Sequence, residues 1–285
     1  GEKSGENYPL YWSEGDKIKV IENSTAVDSE AASINNGLAT FTASFSAADG
    51  PHTYNALYPY SAYQNMNLTD DEYQILTKTP SIQSATATSF DPEADLLIAK
   101  PIEATQAEAT PLNMQFKRLV AIGKMTFKNL PADAIDAVTF TATGKVLAGR
   151  SKFACATGQV VEYGYNSPMD NITINYAEAI AANNAVFFTC LPCEVVAGET
   201  FTVSAVCGDK TYTHTVTMPE GRSLLFTEGD LTTFSVDMTN ANEKETFSIA
   251  TGDYVIMVEY TKDGSTLRNM MKASTGTYQG YTAYT

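Results

Sequence analysis

Apolar and polar positions alternate with period two along most of this chain, and a 3.6-residue period is nearly absent. Segments 18–21, 39–45, 54–58 and 73–76 are short, β-branched or aromatic, and bounded by Gly, Pro, Asp or Asn, which predicts strands. The pattern strengthens after residue 111, over 115–127, 137–143, 159–163, 172–176, 185–191, 200–207, 211–218, 223–226 and 232–238. Turns at ~8–12-residue spacing belong to a sandwich or barrel, so the predicted fold class is all-β. Val196-Ala197-Gly198-Glu199 and Cys207-Gly208-Asp209-Lys210 read as tight hairpin connections with Gly where φ turns positive. Glu14-Gly15-Asp16 and Glu228-Gly229-Asp230 each open a strand. Only 129–134 and 91–94 carry helix signals, each one connecting turn long.

The polar Ala/Thr/Glu stretch 102–111 divides the chain into a predicted domain 1–110 and a second, 111–240. Residues 239–245 form a polar linker. Beyond it comes Tyr254-Val255-Ile256-Met257-Val258-Glu259-Tyr260, the most hydrophobic strand candidate, and then a hairpin turn at Lys262-Asp263-Gly264-Ser265. Segment 241–285 reads as a C-terminal β extension or the start of a further domain. The opening Gly1-Glu2-Lys3-Ser4 suggests a processed or trimmed form, and Tyr284-Thr285 a chain cut within a longer one.

Composition narrows the function classes. The length, 285 residues, is about twice an ordinary ~150-residue domain, in keeping with two cores. With 18 Lys plus Arg against 33 Asp plus Glu, the net charge is −15 and no basic block occurs. That removes the electrostatic footprint for nucleic acid. Charged residues are 18% and aromatics 11%, the reverse of a disordered chain. Uncharged apolar stretches stop far short of the ~20 residues of a spanning helix.

Catalytic and metal-binding patterns are hard to find. Cys190-Leu191-Pro192-Cys193 has C-x-x-C spacing, but no βα unit follows it and no second pair completes a zinc site, so buried strand thiols are the favoured reading. A bridge from Cys190 or Cys193 to Cys207 is the alternative. His52 and His214 have no nucleophile context, and no phosphate-cradling glycine loop occurs. Asp70-Asp71-Glu72 and Asp91-Pro92-Glu93-Ala94-Asp95 lack the ligand alternation of a calcium loop and read as solvated loops. The expectation is no catalytic residue, no metal and no cofactor. Loop aromatics Tyr58, Tyr60 and Tyr63 are candidates for stacking on a sugar; the plainer reading is tyrosine packing at strand ends.

Several segments, in order, resemble the fimbrillin family of Bacteroidetes. Trp12-Ser13-Glu14-Gly15-Asp16-Lys17-Ile18-Lys19-Val20 is similar to its W-x-x-G-D-x-I-x-V strand. Tyr54-Asn55-Ala56-Leu57-Tyr58-Pro59 is similar to its Y-x-A-x-Y-P segment. Asp95-Leu96-Leu97-Ile98-Ala99, Phe116-Lys117-Arg118-Leu119-Val120-Ala121, and Pro219-Glu220-Gly221 with Phe234-Ser235-Val236-Asp237-Met238 follow in register with the family's later motifs. The resemblance covers roughly residues 11–238. It implies two tandem transthyretin-like Greek-key β-sandwiches, export as a lipoprotein, and location at the cell surface, in the outer membrane or a fimbrium. It also implies assembly with other pilin subunits by strand donation after proteolytic removal of an N-terminal strand. No Arg precedes Trp12, and the tail after Thr239 exceeds one donor strand, which favours a tip, anchor or accessory subunit over a stalk subunit.

The leading expectation is thus a non-catalytic structural subunit with Tyr254, Ile256, Val258 and Tyr260 on its assembly strand. Pairing of that strand into a small third domain fits the same alternation. The second expectation is an adhesin or glycan-binding module, using Tyr58, Tyr60 and Tyr63 on a host or microbial surface glycan or protein. A glycosidase comes third.

Overall fold

A computed structural model describes residues 11–46, 50–69, 72–104 and 111–245, and the backbone of the strands Val255–Lys262 and Ser265–Lys272. The chain is all-β, its described helical content being two 3-10 turns, Tyr60–Ala62 and Pro92–Ala94. Among the described residues no helix is long and apolar enough to cross a membrane. Gly1–Glu243 and Lys244–Thr285 form separate compact units.

Four sheets of the first unit enclose two hydrophobic cores. The first sheet runs in the order Phe116–Arg118, Leu97–Ala99, His52–Tyr58, Lys19–Glu22, Thr25–Asp28, and Ile102–Ala104 also pairs with His52–Tyr58. The second is Val160–Tyr163, Gly149–Ala154, Glu72–Thr79, Tyr63–Thr69. Ile21, Leu57 and Ile98 of the first sheet meet Ile75 and Phe153 of the second in one core, with Leu119, Val120 and Leu191. The third sheet, Val186–Cys190, Ala121–Lys128, Leu231–Asp237, faces the fourth, which holds Lys210–Thr217, Thr200–Cys207, Ala134–Ala142, Asn171–Ala181 and Ile82–Ala85. Met125, Phe188 and Val236 there pack against Val138, Phe140, Ile174 and Val203. Alternation generates both cores, because period two sends every second side chain to one face. Thr200–Cys207 shows this directly, with Phe201, Val203, Ala205 and Cys207 buried and the residues between them half-buried.

Among the described residues, strand pairing crosses residue 110 three times. Phe116–Arg118 pairs with Leu97–Ala99, Gly149–Ala154 with Glu72–Thr79, and Ile82–Ala85, in parallel, with Asn171–Ala181. Segments from after residue 110 thus join the sheets around the first core, and one from before it joins a sheet around the second. Gly149 makes one of these crossings feasible. Its φ is +120°, and a Cβ there would lie 2.1 Å from the Ser167 carbonyl oxygen, so a side chain is excluded on both counts.

Most predicted strands are present, with differences that have local causes. Segment 115–127 is two strands, because Leu119 and Val120 are buried in the first core where the chain passes between sheets. Of 39–45, Leu38–Thr40 pairs with Ser33–Asn35, while Phe41, Ala43 and Phe45 continue the alternation outside any sheet. They cover the outer face of the first sheet against Val20, Ala56, Tyr58 and Ala99. The Gly208 connection is as predicted: Cys207 pairs with Lys210, and Gly208 has φ +62°. The loop at 129–133 has no helical turn, whereas Asp91 caps the 3-10 turn Pro92–Ala94 by accepting from the Glu93 amide at 3.0 Å. The segment 91–95 is therefore not simply a solvated loop, since Asp95 is 7% exposed.

The second unit contains an antiparallel hairpin of Val255–Lys262 and Ser265–Lys272, with Lys262 opposite Ser265, as the predicted turn requires.

Candidate functional site

A turn before the first strand organises the region around the candidate tyrosines. Asp16 N–H donates to the Ser13 carbonyl at 3.1 Å, and Ser13 N–H donates to Asp16 Oδ2 at 2.7 Å. This leaves Oδ1 to accept from Tyr58 Oη at 3.1 Å. The Trp12 ring stands edge-on to Tyr58, Phe41 and Phe116, with centroids 5.1, 5.1 and 5.3 Å away. Such edge-to-face contacts add to the area each ring buries. Burial foremost, then the Asp16 charge and hydrogen bond, push the Tyr58 phenol well above its ordinary range. Three of the sequence segments that carry the family resemblance, those holding Trp12, Tyr58 and Phe116, therefore meet here, and they form a structural junction.

The structure does not gather the three tyrosines into one platform. Tyr58 is buried on the outer-layer side of the first sheet. Tyr60, on the 3-10 turn, is 37% exposed, its amide donates to the Lys17 carbonyl, and Lys17 Nζ lies 5.9 Å from its ring centroid. Tyr63 packs on the opposite side of that sheet, against the inter-sheet core, with Lys19 Nζ 5.2 Å from its ring centroid. Burial, followed by the neighbouring Cys155, raises its phenol.

Two further junctions tie the segments together. Arg118 Nε and Nη2 donate to Asp95 Oδ1 and Oδ2 at 2.5 and 2.9 Å, a bidentate pair with side chains 18% and 10% exposed. Strand alternation over Phe116–Arg118 leaves Lys117 exposed and turns Arg118 inward beside the apolar Leu119–Ala121, which is a sequence signal for such a pair, because a charge buried there needs a partner. Glu228 accepts from Tyr163 Oη at 2.5 Å and pairs with Lys117, joining three elements. Sequence reasoning reads Glu228 only as part of a turn, since its partners are 65 and 111 residues away.

Cys155, Cys190, Cys193 and Cys207 are free thiols, which removes the Cys207 bridge. Burial pushes the Cys193 thiol up to about 11 and Cys190 well above the ordinary value. His52 is buried with Nδ1 3.2 Å from Glu22 Oε1, and His214 is a half-buried strand residue opposite Val203. Among the described residues no group of three or more His, Cys, Asp or Glu side chains is placed to hold a metal ion.

The assembly-strand residues Ile256, Val258 and Tyr260 lie on Val255–Lys262, opposite Met271, Asn269 and Leu267. Tyr254 lies outside the described residues, as do Asp70, Asp71 and linker residues 105–110.

Comparison with solved structures finds a candidate cell adhesion protein of Bacteroides ovatus, 16% identical, with 83% of this chain and 87% of that chain covered and a TM-score of 0.47. A second such protein, from Bacteroides uniformis, is 13% identical over 82% and 91%, with a TM-score of 0.48. A fimbrial protein of Bacteroides vulgatus is 10% identical over 80% and 92%, with a TM-score of 0.40. No curated protein matches the sequence. The fimbrillin-like family model does match it, from residue 4 to residue 253, and the chain belongs to the fimbrillin-like family.

Proposed function

We propose that this chain is a non-catalytic structural protein of the cell surface, a fimbrillin-like pilus subunit that joins other pilin subunits by β-strand donation. The observation that carries the reading is the family match over residues 4–253 of an all-β chain. The finer fold reading goes with it: two tandem transthyretin-like Greek-key sandwiches divided near residue 110, interlocked by the pairings across that point, and a β extension over 241–285. The subunit occupies a tip, anchor or accessory position, in the outer membrane by way of a lipid anchor or within a fimbrium.

Val255–Lys262 is the proposed assembly strand. Its partner among the described residues is Ser265–Lys272, which takes one edge of the strand; we assign the other edge to a neighbouring sheet. Backbone hydrogen bonds along such an edge supply affinity, and alternate apolar residues supply fit. A two-stranded hairpin is marginal in water by itself, which favours its completion by further structure.

Light scattering of the full chain across a concentration series tests this reading. Oligomers are expected at high concentration, and Ile256→Asp with Val258→Asp is expected to abolish them. A strictly monomeric chain, or oligomers indifferent to both changes, would overturn it. The second reading, an adhesin, keeps only Tyr60 of the three tyrosines at its ligand, because its ring alone is exposed while Tyr58 and Tyr63 are packed on opposite sides of the first sheet. It is tested by loss of glycan-array signal in Tyr60→Ala.

A further inference from the structure

At one end of the sheets around the second core three strand ends leave a cavity of about 400 Å³. That volume lies within the ~300–1,000 Å³ usual for small-molecule sites. Phe127 comes from the end of Ala121–Lys128. Leu130, Ala132 and Asp133 come from the loop leading into Ala134–Ala142, and Ala182 and Asn183 from the turn after Asn171–Ala181. Phe127 is buried, and Leu130, Ala132 and Ala182 are half-buried against the core beneath, so the floor offers a small apolar area within a mostly polar lining. The rim is polar: Asn129, Asp133 and Asn183 are all exposed.

The protein's own hydrogen bonds fix the rim. Ala182 N–H donates to the Asp133 carbonyl at 2.9 Å, which locks the two loops together. Asn129 has a positive φ of 54°, and its Nδ2 donates to Asp237 Oδ1 and Thr239 Oγ1, both at 3.0 Å. Among the described residues, the Asp133 carboxylate, the Asn183 carboxamide and Asn129 Oδ1 have no protein partner. The loop backbones that carry these groups are held in place, which lowers part of the ordering cost of binding, and the side chains themselves are left uncommitted.

The chemistry of these groups selects a ligand class. Two acceptors and one carboxamide require a ligand rich in donors, and the four apolar side chains of the floor require one C–H face. No cation lines the cavity, and Asp133 and the nearby Asp237 repel anions. Asp133 would also draw an ammonium group, but among the described lining residues Phe127 is the one aromatic ring and it is buried, so the cation–π contact of quaternary-ammonium sites is missing. A pyranose ring offers the required combination, hydroxyls around its edge and C–H groups on its face. We propose that this cavity binds a neutral hexopyranose, as a free sugar or as a terminal residue of a glycan, with Asp133 accepting from its hydroxyls and Asn183 accepting from and donating to them.

Nitrogen-15 correlation spectra of the full chain, titrated with the methyl glycosides of glucose, galactose, mannose and N-acetylglucosamine, test the site. At least one glycoside should saturably shift the Asn129 and Asn183 carboxamide signals. Asp133→Ala and Asn183→Ala remove side chains without protein partners, so each should keep the wild-type melting temperature. Each should weaken binding about tenfold or more, the scale of one hydrogen bond to a charged or well-placed group. Ala182→Leu, which fills the cavity, should remove binding, and Tyr60→Ala should leave it intact. The proposal is overturned if no glycoside produces a saturable shift, or if Asp133→Ala and Asn183→Ala bind as wild type. Loss of binding in Tyr60→Ala, or preferential occupancy by ethylammonium chloride, overturns it as well.

Discussion

Gly123 lies in the middle of Ala121–Lys128, directly opposite Phe188 on the neighbouring strand, and the Phe188 ring lies over it. A Cβ at this position would stand 2.2, 2.5 and 2.7 Å from three ring carbons, where ordinary carbon contacts are ~3.5–4.0 Å. The ring has no room to retreat. Phe188 is fully buried, with the Phe140, Phe226 and Phe234 rings at centroid distances of 5.3, 5.9 and 6.5 Å. Overpacking a filled core costs ~1–3 kcal/mol, and the boxed ring places Gly123→Ala at the upper end of that range. Narrowing of the unfolded ensemble returns ~0.4–1 kcal/mol, leaving a net destabilisation of about 2 kcal/mol. For a chain of this size that corresponds to a drop of about 4–8 °C in melting temperature. Circular dichroism or calorimetry reads it directly. Phe188→Leu should destabilise alone yet soften the effect of Gly123→Ala, giving a coupling of about 1 kcal/mol or more in a double-mutant cycle. A Gly123→Ala protein that melts with wild type, or strict additivity of the two changes, would refute this account of the core.

Two other expectations concern charge and ionisation. Arg118→Met strips the bidentate partner from a carboxylate only 10% exposed and should cost about 3 kcal/mol, read as a lowered urea midpoint with unchanged slope. Arg118→Lys should recover less than half of that, since a point charge cannot make both bonds; full recovery would show that charge alone matters. Stability should also fall as pH rises from about 9 to about 11. Burial, with Glu72 beside Cys155 and Asp136 beside Cys207, pushes those thiols from the ordinary 9.0 up to about 11, and the Tyr58, Tyr163 and Tyr176 phenols rise for the same first cause. The unfolded chain therefore releases protons in this window while the native state retains them, which favours unfolding. A melting temperature that is flat or rising between pH 9 and 11 would contradict it.

What the sequence reveals and what it hides divides along a physical line. Alternation reports which side chains share a face, and it reports this well: the Thr200–Cys207 hairpin follows from its apolar positions and one glycine. It is silent about hydrogen-bond partners. Phe41, Ala43 and Phe45 have the alternation of a strand and cover a sheet without joining one, and polar Tyr63–Thr69 is a strand because Glu72–Thr79 lies beside it. The same limit explains why a division near residue 110 reads cleanly in composition while three strand pairings bridge it, since pairing is decided across sheets and composition along the chain. Site residues follow the same rule. The ordered motifs are legible because each pairs locally, Asp16 with Ser13 in one turn, and only then reaches Tyr58. The cavity rim joins Asn129 and Asp133 to Asn183 through a backbone bond from Ala182 to Asp133, so nothing in either loop alone signals it. In this chain, binding surfaces made by strand ends are the part that only the folded structure can reveal, and the inward alternation that builds the cores is what places those ends together.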